Sequence, residues 1–422
     1  MPFAVRVSTL YCGQGQANVI EVYKSTAPFI LNDAPPTLPD SITLDFLAIV
    51  DLGTSSHGDK AKSSVISYLH PLLLYKKGVI DWVYISHLDD DHYNLFQSLS
   101  EFYQQQYTSK ITISNLVIGG ERRDSHTSGI GKHGLMLTTL ISWGYLVTNS
   151  LFIPTCHKHE GSNPYIPPQP QPSLPSISFT HLLDDHHFLQ GNVLIQQAQI
   201  NPPSWMGTLS DSVFVNTGST ILLLSVVNRS VGPLYSAMLT GDATNWTIRR
   251  LLNLDELSDP NATPPISYPY NFGLEVKYIT IPHHGSFTTM ADGHPPGFYS
   301  LRHLICNNYK PNVATASAQM KHNHPCESTF NVFRDNIVKY ACLPDPPPHS
   351  YAVYTSTGSF SSPLSIDKHI YTTFYQVPQP PSVPAPTAQP LPVDTHNNIH
   401  FTYHSNPIAG RNQYEVEKVE FL

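Results

Sequence analysis

The sequence predicts a layered domain of the α/β or α+β class, and three observations carry that expectation. Short strand-like runs alternate with helical ones through the first half. The alternation resumes in the second half. Clusters of aspartate and histidine then fall at the ends of apolar strands, where loops held by a rigid scaffold commonly present functional groups.

In chain order, VRVSTLY, NVIEVY and LDFLAIVDLG read as strands because β-branched and apolar residues dominate them. Lys60 to Leu74 reads as a helix, DWVYIS as a further strand, and His92 to Tyr103 as a helix with Leu95, Leu99 and Phe102 on one stripe. Residues 121–176 read as a loop-rich elaboration. Their segment NPYIPPQPQPSLP cannot pair as a central strand, because proline lacks the N–H that a ladder needs. NVLIQQAQI, STILLLSVV, YSAMLTGD and VKYITIPHHG then read as strands, with NWTIRRLLNL as a helix. The stretch 376–395 is rich in proline and reads as a semi-rigid extended linker. These features divide the chain into a domain over 1–375, the linker, and a polar tail over 396–422. The tail ends in one short apolar pattern, YEVEKVEFL, and its reading stays open among an edge strand, a helix and a contact for a protein partner. No repeat at solenoid periods is present.

Composition narrows the function classes. The chain is 422 residues long and 40% hydrophobic, enough for one large core or two modest ones. Only 13% of residues are charged and the net charge is −8, without a long basic run. That balance counts against a broad, non-specific DNA surface. It leaves a nuclease open, because bound cations would supply local positive charge. Histidine is over-represented, with 22 copies against 23 Lys plus Arg. Cys12, Cys156, Cys306, Cys326 and Cys342 are odd in number and form no CxxC pair, so neither a disulfide framework nor a cysteine zinc site is implied. A reducing, cytoplasmic setting follows as the expectation. The start MPFAVRVSTLY lacks the features of a signal peptide, and no run approaches the ~18 apolar residues of a membrane span.

YISHLDDDHYN carries the most chemistry. A strand ends at Ile85, and the next residues run His87-Leu88-Asp89-Asp90-Asp91-His92. In an extended turn, alternate residues point the same way, so His87 and Asp89 can grip one cation. Asp91 and His92, at the start of the following helix, can grip a second. Imidazole and carboxylate suit divalent first-row metals. Helix capping by the aspartates is the plainer explanation, but it leaves the flanking histidines unexplained. LTGDAT places Asp242 at the end of an apolar strand, and ITIPHHGSFTT places His283 and His284 at the end of another. Singly, Asp242 reads equally well as a helix cap or Asx turn. Three such clusters in one chain are hard to assign to chance.

Together these motifs resemble the metallo-β-lactamase superfamily, and within it the soluble hydrolase domain of ComEC-type competence proteins. The six residues from His87 to His92 match that branch's H-x-D-x-D-H. Cys12-Gly13-Gln14-Gly15-Gln16-Ala17 resembles its "VGQGDA" turn, and Val50-Asp51-Leu52-Gly53 its "vDxG" strand. Asn216 and Ser219 match an "N-x-x-S" turn, Leu239-Thr240-Gly241-Asp242 its "LTGD", Pro282-His283-His284-Gly285-Ser286 its "PHHGS", and His324-Pro325 a late "HP". The order is collinear. The chain departs from the pattern at Gln16, where the branch carries an acid, at Tyr11, where it often carries Asp, and at Tyr93-Asn94, which stand in place of a glycine pair. No histidine is recognisable at the superfamily's intermediate ligand position, although His157, His159, His181, His186 and His187 lie in the surrounding sequence.

The resemblance implies a four-layer αββα sandwich of the α+β class holding two divalent cations, zinc or manganese. It implies His87 and Asp89 on one cation, Asp91, His92 and either His283 or His284 on the other, and Asp242 bridging. Asp89 in place of a histidine moves the first position toward manganese or magnesium. His324, or whichever of His283 and His284 is not a ligand, would protonate the leaving group. Asp51, Gly13 and Gly15 read as structural support for the metal loop. The implied activity is hydrolysis of an anionic substrate by a two-metal-activated water, with a phosphodiesterase or nuclease leading and nucleic acid or a nucleotide as partner. Two alternatives stay open: hydrolysis of a small ester, nucleotide or lactone, with Trp82, Tyr84, Tyr93 and Phe287 lining the pocket, and a non-catalytic scaffold that retains the fold.

Overall fold

The computed structural model describes residues 2–31, 38–55, 59–119, 131–152, 192–198, 215–228, 232–252, 276–291, 297–317, 324–339, 343, 346, 349–351, 353, 355, 364–366, 368–377, 393–410 and 412–420. The first proline-rich segment, residues 378–392 of the second, and His157, His159, His181, His186 and His187 lie outside these residues, as do Cys156 and Cys342.

Two mixed sheets form the centre. The first contains β1 (Phe3–Thr9), β2 (Ala17–Ser25), β3 (Ile42–Leu52), β4 (Val79–Ile85), β5 (Thr112–Ile118) and β6 (Leu146–Phe152). The second contains β7 (Asn192–Ala198), β8 (Ile221–Asn228), β9 (Gly232–Leu239), β10 (Tyr278–Thr280) and β11 (Val313–Ala316). A small hairpin pairs β12 (His349–Tyr351) with β13 (Leu364–Ile366), and β14 (Ile370–Thr372) returns to the second sheet beside β11. The last three strands, β15 (Phe374–Val377), β16 (Val393–His404) and β17 (Tyr414–Glu420), complete the first sheet. Its order is β15-β16-β1-β2-β3-β4-β5-β6 with β17 on β16, and the second sheet runs β14-β11-β10-β9-β8-β7.

Side-chain alternation along these strands builds the layers. Successive strand residues point to opposite faces. Phe46, Ala48 and Val50 of β3, with Trp82 and Tyr84 of β4, enter a core shared with Leu222, Leu224, Ala237, Leu239 and Tyr278 of the second sheet. Their neighbours Leu47, Ile49, Val83 and Ile85 pack the other way. There they meet α1 (Asp59–Tyr75), α2 (Leu95–Tyr107) and α3 (Gly131–Ser142) through Leu69, Leu72, Phe96, Leu99 and Leu140. On the far side of the second sheet, Ile221, Leu223, Met238 and Ile279 meet α4 (Asn245–Leu251), α5 (Tyr299–Arg302, running on to Tyr309) and α6 (Glu327–Asn336) through Ile248, Leu301, Leu304, Phe330 and Phe333. Burial on both faces is why STILLLSVV and LDFLAIVDLG read as nearly continuous apolar runs. The fold is therefore α+β, a four-layer αββα sandwich.

Several sequence expectations change in detail. Helix α2 begins at Leu95, because 90–92 form a single tight turn that carries the metal-type run. Its buried stripe is Leu95, Phe96, Leu99, Ser100 and Tyr103, while Phe102 is half-buried edge-on to His70. Within the expected elaboration, α3 and β6 are regular, and β6 pairs in parallel with β5. The tail differs most. β16 lies inside the first sheet, pairing with β1 from Ile399 to His404 and with β17 on its other flank. Ile399, Phe401 and Tyr403 join the core between the sheets, so residues 396–404 are interior structure. No helix among the described residues is long and apolar enough to cross a membrane.

Candidate metal centre

The expected residues converge where strands from both sheets end. β4 stops at Ile85, and the turn that follows delivers His87, Asp89, Asp91 and His92. β9 delivers Asp242 just beyond its end, and β10 delivers His283 and His284. Gly241 links the last two, because its carbonyl accepts the His283 N–H at 3.1 Å.

Asp242 lies at the middle of the cluster and is buried. Its Oδ1 is 3.3 Å from His92 Nε2 and 3.4 Å from His284 Nε2, and its Oδ2 is 3.5 Å from His283 Nε2. His92 Nε2 is 3.9 Å from Asp91 Oδ1, and His87 Nε2 is 3.5 Å from Asp89 Oδ2. Two ligands of one tetrahedral cation at ~2.0–2.1 Å stand roughly 3.3 Å apart. Two groups of side chains could hold such an ion: His87, His92 and Asp242, and Asp91, His92 and His284. Three of the converging atoms, His92 Nε2, His284 Nε2 and Asp242 Oδ1, are buried without a hydrogen-bond partner. Buried polar atoms are nearly always satisfied, and a divalent cation satisfies all three together. The donor set fits the implied metal.

Hydrogen bonds behind these atoms fix which nitrogen faces the centre. Asp51 Oδ2 is 2.9 Å from His92 Nδ1, and its Oδ1 accepts the Ser86 N–H at 2.7 Å. A carboxylate only accepts, so the His92 proton sits on Nδ1 and Nε2 is left for a metal. His284 Nδ1 lies 3.0 Å from the Ser317 carbonyl, which selects Nε2 in the same way. For His87, Nδ1 is 3.1 Å from the hydroxyls of both Ser86 and Ser219. Sequence reading gave Asp51 only a supporting role and missed the backing by Ser86, Ser219 and Ser317. Ser86 had a signal in its position beside His87 at a strand end.

Charge follows the same geometry. Burial opposes protonation of His92, but Asp242 and Asp51 outweigh it and hold the imidazole well above its ordinary pKa. Burial likewise opposes ionisation of Asp242, and His283, His284 and His92 outweigh that to hold the carboxyl well below its ordinary range. The centre is a compact anionic cage whose described ion pairs use only histidine as the basic partner.

The two adjacent histidines separate. His284 belongs to a possible ligand group, whereas His283 lies outside both, against Asp242 and 3.5 Å from the Asn216 amide; Asp89, paired with His87, also lies outside both. Their backbone is left-handed at φ 46° and 53°, followed by Gly285 at 80°. Non-glycine residues adopt that region at a cost, which contacts from Gly241, Thr315 and Cys326 to this turn help to hold. His324 stands beside the pair, its ring centre 6.3 Å from each. Asp90 faces outward and accepts the Tyr93 hydroxyl. Trp82 and Tyr84 are buried between the sheets, so they do not line a pocket, and Phe287 packs edge-on to Phe298.

No family profile and no curated protein matches this chain. Among solved structures, the metallo-beta-lactamase fold protein YhfI from Bacillus subtilis is similar at 11% identity, over 66% of this chain and 70% of that one, with a TM-score of 0.24.

Proposed function

We propose that this chain is a metal-dependent hydrolase and that phosphodiesters are its substrate class. The observation that carries this reading is the convergence of His92 Nε2, His284 Nε2 and Asp242 Oδ1, buried and without hydrogen bonds, at the ends of strands from both sheets. A pair of divalent cations bound there would supply an activated water and neutralise charge developing on the substrate. On this reading His87 and Asp89 would hold one cation, Asp91, His92 and His284 would hold the other, and Asp242 would be a ligand available to both. The oxygen ligand Asp89 suits manganese as well as zinc.

The site's own charge favours a phosphodiester under these conditions. Asp89, Asp91 and Asp242 would repel a phosphate, so cations are needed before an anion can enter, and a cation pair suits in-line displacement at phosphorus. His283 and His324 stand beside the ligands without belonging to either possible ligand group, and are placed to hold or donate a proton to a leaving oxygen.

The test is a screen of manganese- or zinc-supplemented protein against single- and double-stranded DNA, RNA, cyclic dinucleotides, bis-p-nitrophenyl phosphate and a lactone. Metal-dependent cleavage of phosphodiesters, lost with Asp242→Ala, is the expected result. Lactone cleavage alone would replace the substrate class. A chain that binds no metal would favour a scaffold and overturn the reading.

A further inference from the structure

We propose that Gln16 is a positioning residue of the candidate centre: its main chain and its side-chain amide restrain the two peptide planes that lead into His92 and Asp242. This rests on the metal-dependent reading above, and it needs only one cation, bound by the group that His92 and Asp242 share with His87.

His92 and Asp242 reach each other from different sheets. His92 follows β4 in the first sheet and Asp242 follows β9 in the second, yet their Nε2 and Oδ1 stand 3.3 Å apart. Gln16, the residue before β2, bonds to both turns. Its N–H donates to the Asp91 carbonyl at 3.1 Å, and its own carbonyl accepts the Gly53 N–H at 2.9 Å. Its side-chain Nε2 donates to the Gly241 carbonyl at 3.3 Å, across 225 positions of sequence.

A peptide unit is planar, so restraining a carbonyl oxygen also restrains the Cα of the next residue. The Asp91 carbonyl belongs to the plane that ends at His92, and the Gly241 carbonyl to the plane that ends at Asp242. One residue thus bears on the separation of both ligand-carrying Cα atoms. The Gly241 oxygen accepts a second bond, from the His283 N–H at 3.1 Å, which engages both of its lone pairs. The turn also packs tightly on its other side. Gly241 is left-handed at φ 53°, and a Cβ there would lie 2.9 Å from Ser86 Oγ.

Burial indicates that the amide serves the site rather than the core. Gln16 is 3% exposed, and its Oε1 is buried without a hydrogen-bond partner. A buried acceptor left unsatisfied is costly, and an apolar side chain of similar length would avoid that cost. Such a side chain has nothing to donate to Gly241. Nor has a carboxylate, which only accepts.

The experiment is calorimetric titration with Mn²⁺ of the full chain and its variants, stripped by chelator, beside urea unfolding of the same metal-free proteins. Gln16→Met removes the donor at similar volume, and Gln16→Glu keeps the shape while exchanging the donor for an acceptor. Both should weaken Mn²⁺ binding about 10–100-fold, the usual loss when a group that orients metal ligands is removed. Thr9→Val is the structural control. Thr9 Oγ1 also ties the sheets together, through Asn18, Tyr278 and Thr315, and these contacts lie outside both ligand-carrying turns. That variant should lose stability and keep its Mn²⁺ affinity. Gln16 variants that fold and bind Mn²⁺ as the unsubstituted chain does would overturn the positioning role. So would an equal loss of affinity in Thr9→Val, or failure of both Gln16 variants to fold, since either makes the residue structural. Absence of Mn²⁺ binding to the unsubstituted chain would overturn the metal-dependent reading as well.

Discussion

Gly53 packs against the backbone of Asp91 so closely that a Cβ added to it would lie 2.3 Å from the Asp91 carbonyl carbon. The same Cβ would stand 2.4 Å from the His92 nitrogen. Gly15 approaches from the neighbouring turn, where a Cβ would be 2.7 Å from the Asp91 oxygen, and Gln16 donates its N–H to that oxygen at 3.1 Å. Two glycines therefore clamp the loop that carries the candidate ligands by proximity, and the contacts involve backbone atoms that cannot rotate away.

Gly53→Ala is accordingly expected to displace the loop as well as destabilise the fold. Overpacking of this kind costs about 1–3 kcal/mol. Gly410→Ala is the comparison: Gly410 has φ 86° but nothing within 4 Å of its Cβ position. That change should cost only the ~1–2 kcal/mol of left-handed strain and leave metal affinity untouched. Urea unfolding and Mn²⁺ titration of both variants check this. Unchanged metal affinity in Gly53→Ala would refute the clamp.

The division between what could and could not be read in the sequence has a physical basis. His87, Asp89, Asp91 and His92 were legible because one tight turn after β4 supplies them all. Asp242 and the histidine pair were legible because each ends an apolar strand. The choice between His283 and His284 was not, since it depends on two left-handed residues that aim adjacent side chains differently. Ser219 was legible as a motif residue but not as the partner of His87, which lies 132 positions away.

β16 was hidden for a different reason. Ile399, Phe401 and Tyr403 alternate as a strand should, but His400 and Thr402 lie between them, His404 follows, and a proline-rich stretch precedes them. That pattern reads as a polar tail. In the structure the polar face is buried against Arg6, Ser8 and Tyr68, while Phe401 stacks on Tyr278 of the second sheet at 5.5 Å.

Truncation after residue 377 is therefore expected to abolish soluble folding, where removal of a true tail would be silent. Phe401→Ala is the milder form, with an expected loss of about 3–5 kcal/mol for a buried aromatic. Soluble expression of the truncated chain and chemical unfolding of Phe401→Ala measure the two. A truncated protein that folds and binds metal as the full chain does would refute the assignment of 393–404 to the core.

The buried polar face under β16 also predicts a pH dependence remote from the candidate metal centre. Arg6 of β1, Glu21 and Tyr23 of β2, Tyr68 of α1, His400 of β16 and Glu417 of β17 form one cluster. Burial and the Arg6 charge hold His400 well below the ordinary histidine pKa of 6.5, so it is neutral in the folded protein. In the unfolded chain it takes up a proton near 6.5. Below that pH the unfolded state binds more protons, and stability falls as pH falls through the window between 6.5 and the depressed folded value. Glu21 has the opposite sense: burial outweighs Arg6 and the hydrogen bonds from its neighbours, raising its pKa above 4.5. Between 4.5 and that raised value the folded state holds the extra proton, so stability falls as pH rises there. A single proton gives a slope of at most about 1.4 kcal/mol per pH unit. Urea unfolding at pH 7 and pH 5 should therefore show the unsubstituted protein losing about 1–2 kcal/mol more than His400→Gln on acidification. Parallel losses in the two proteins would show that His400 is not held neutral by this cluster.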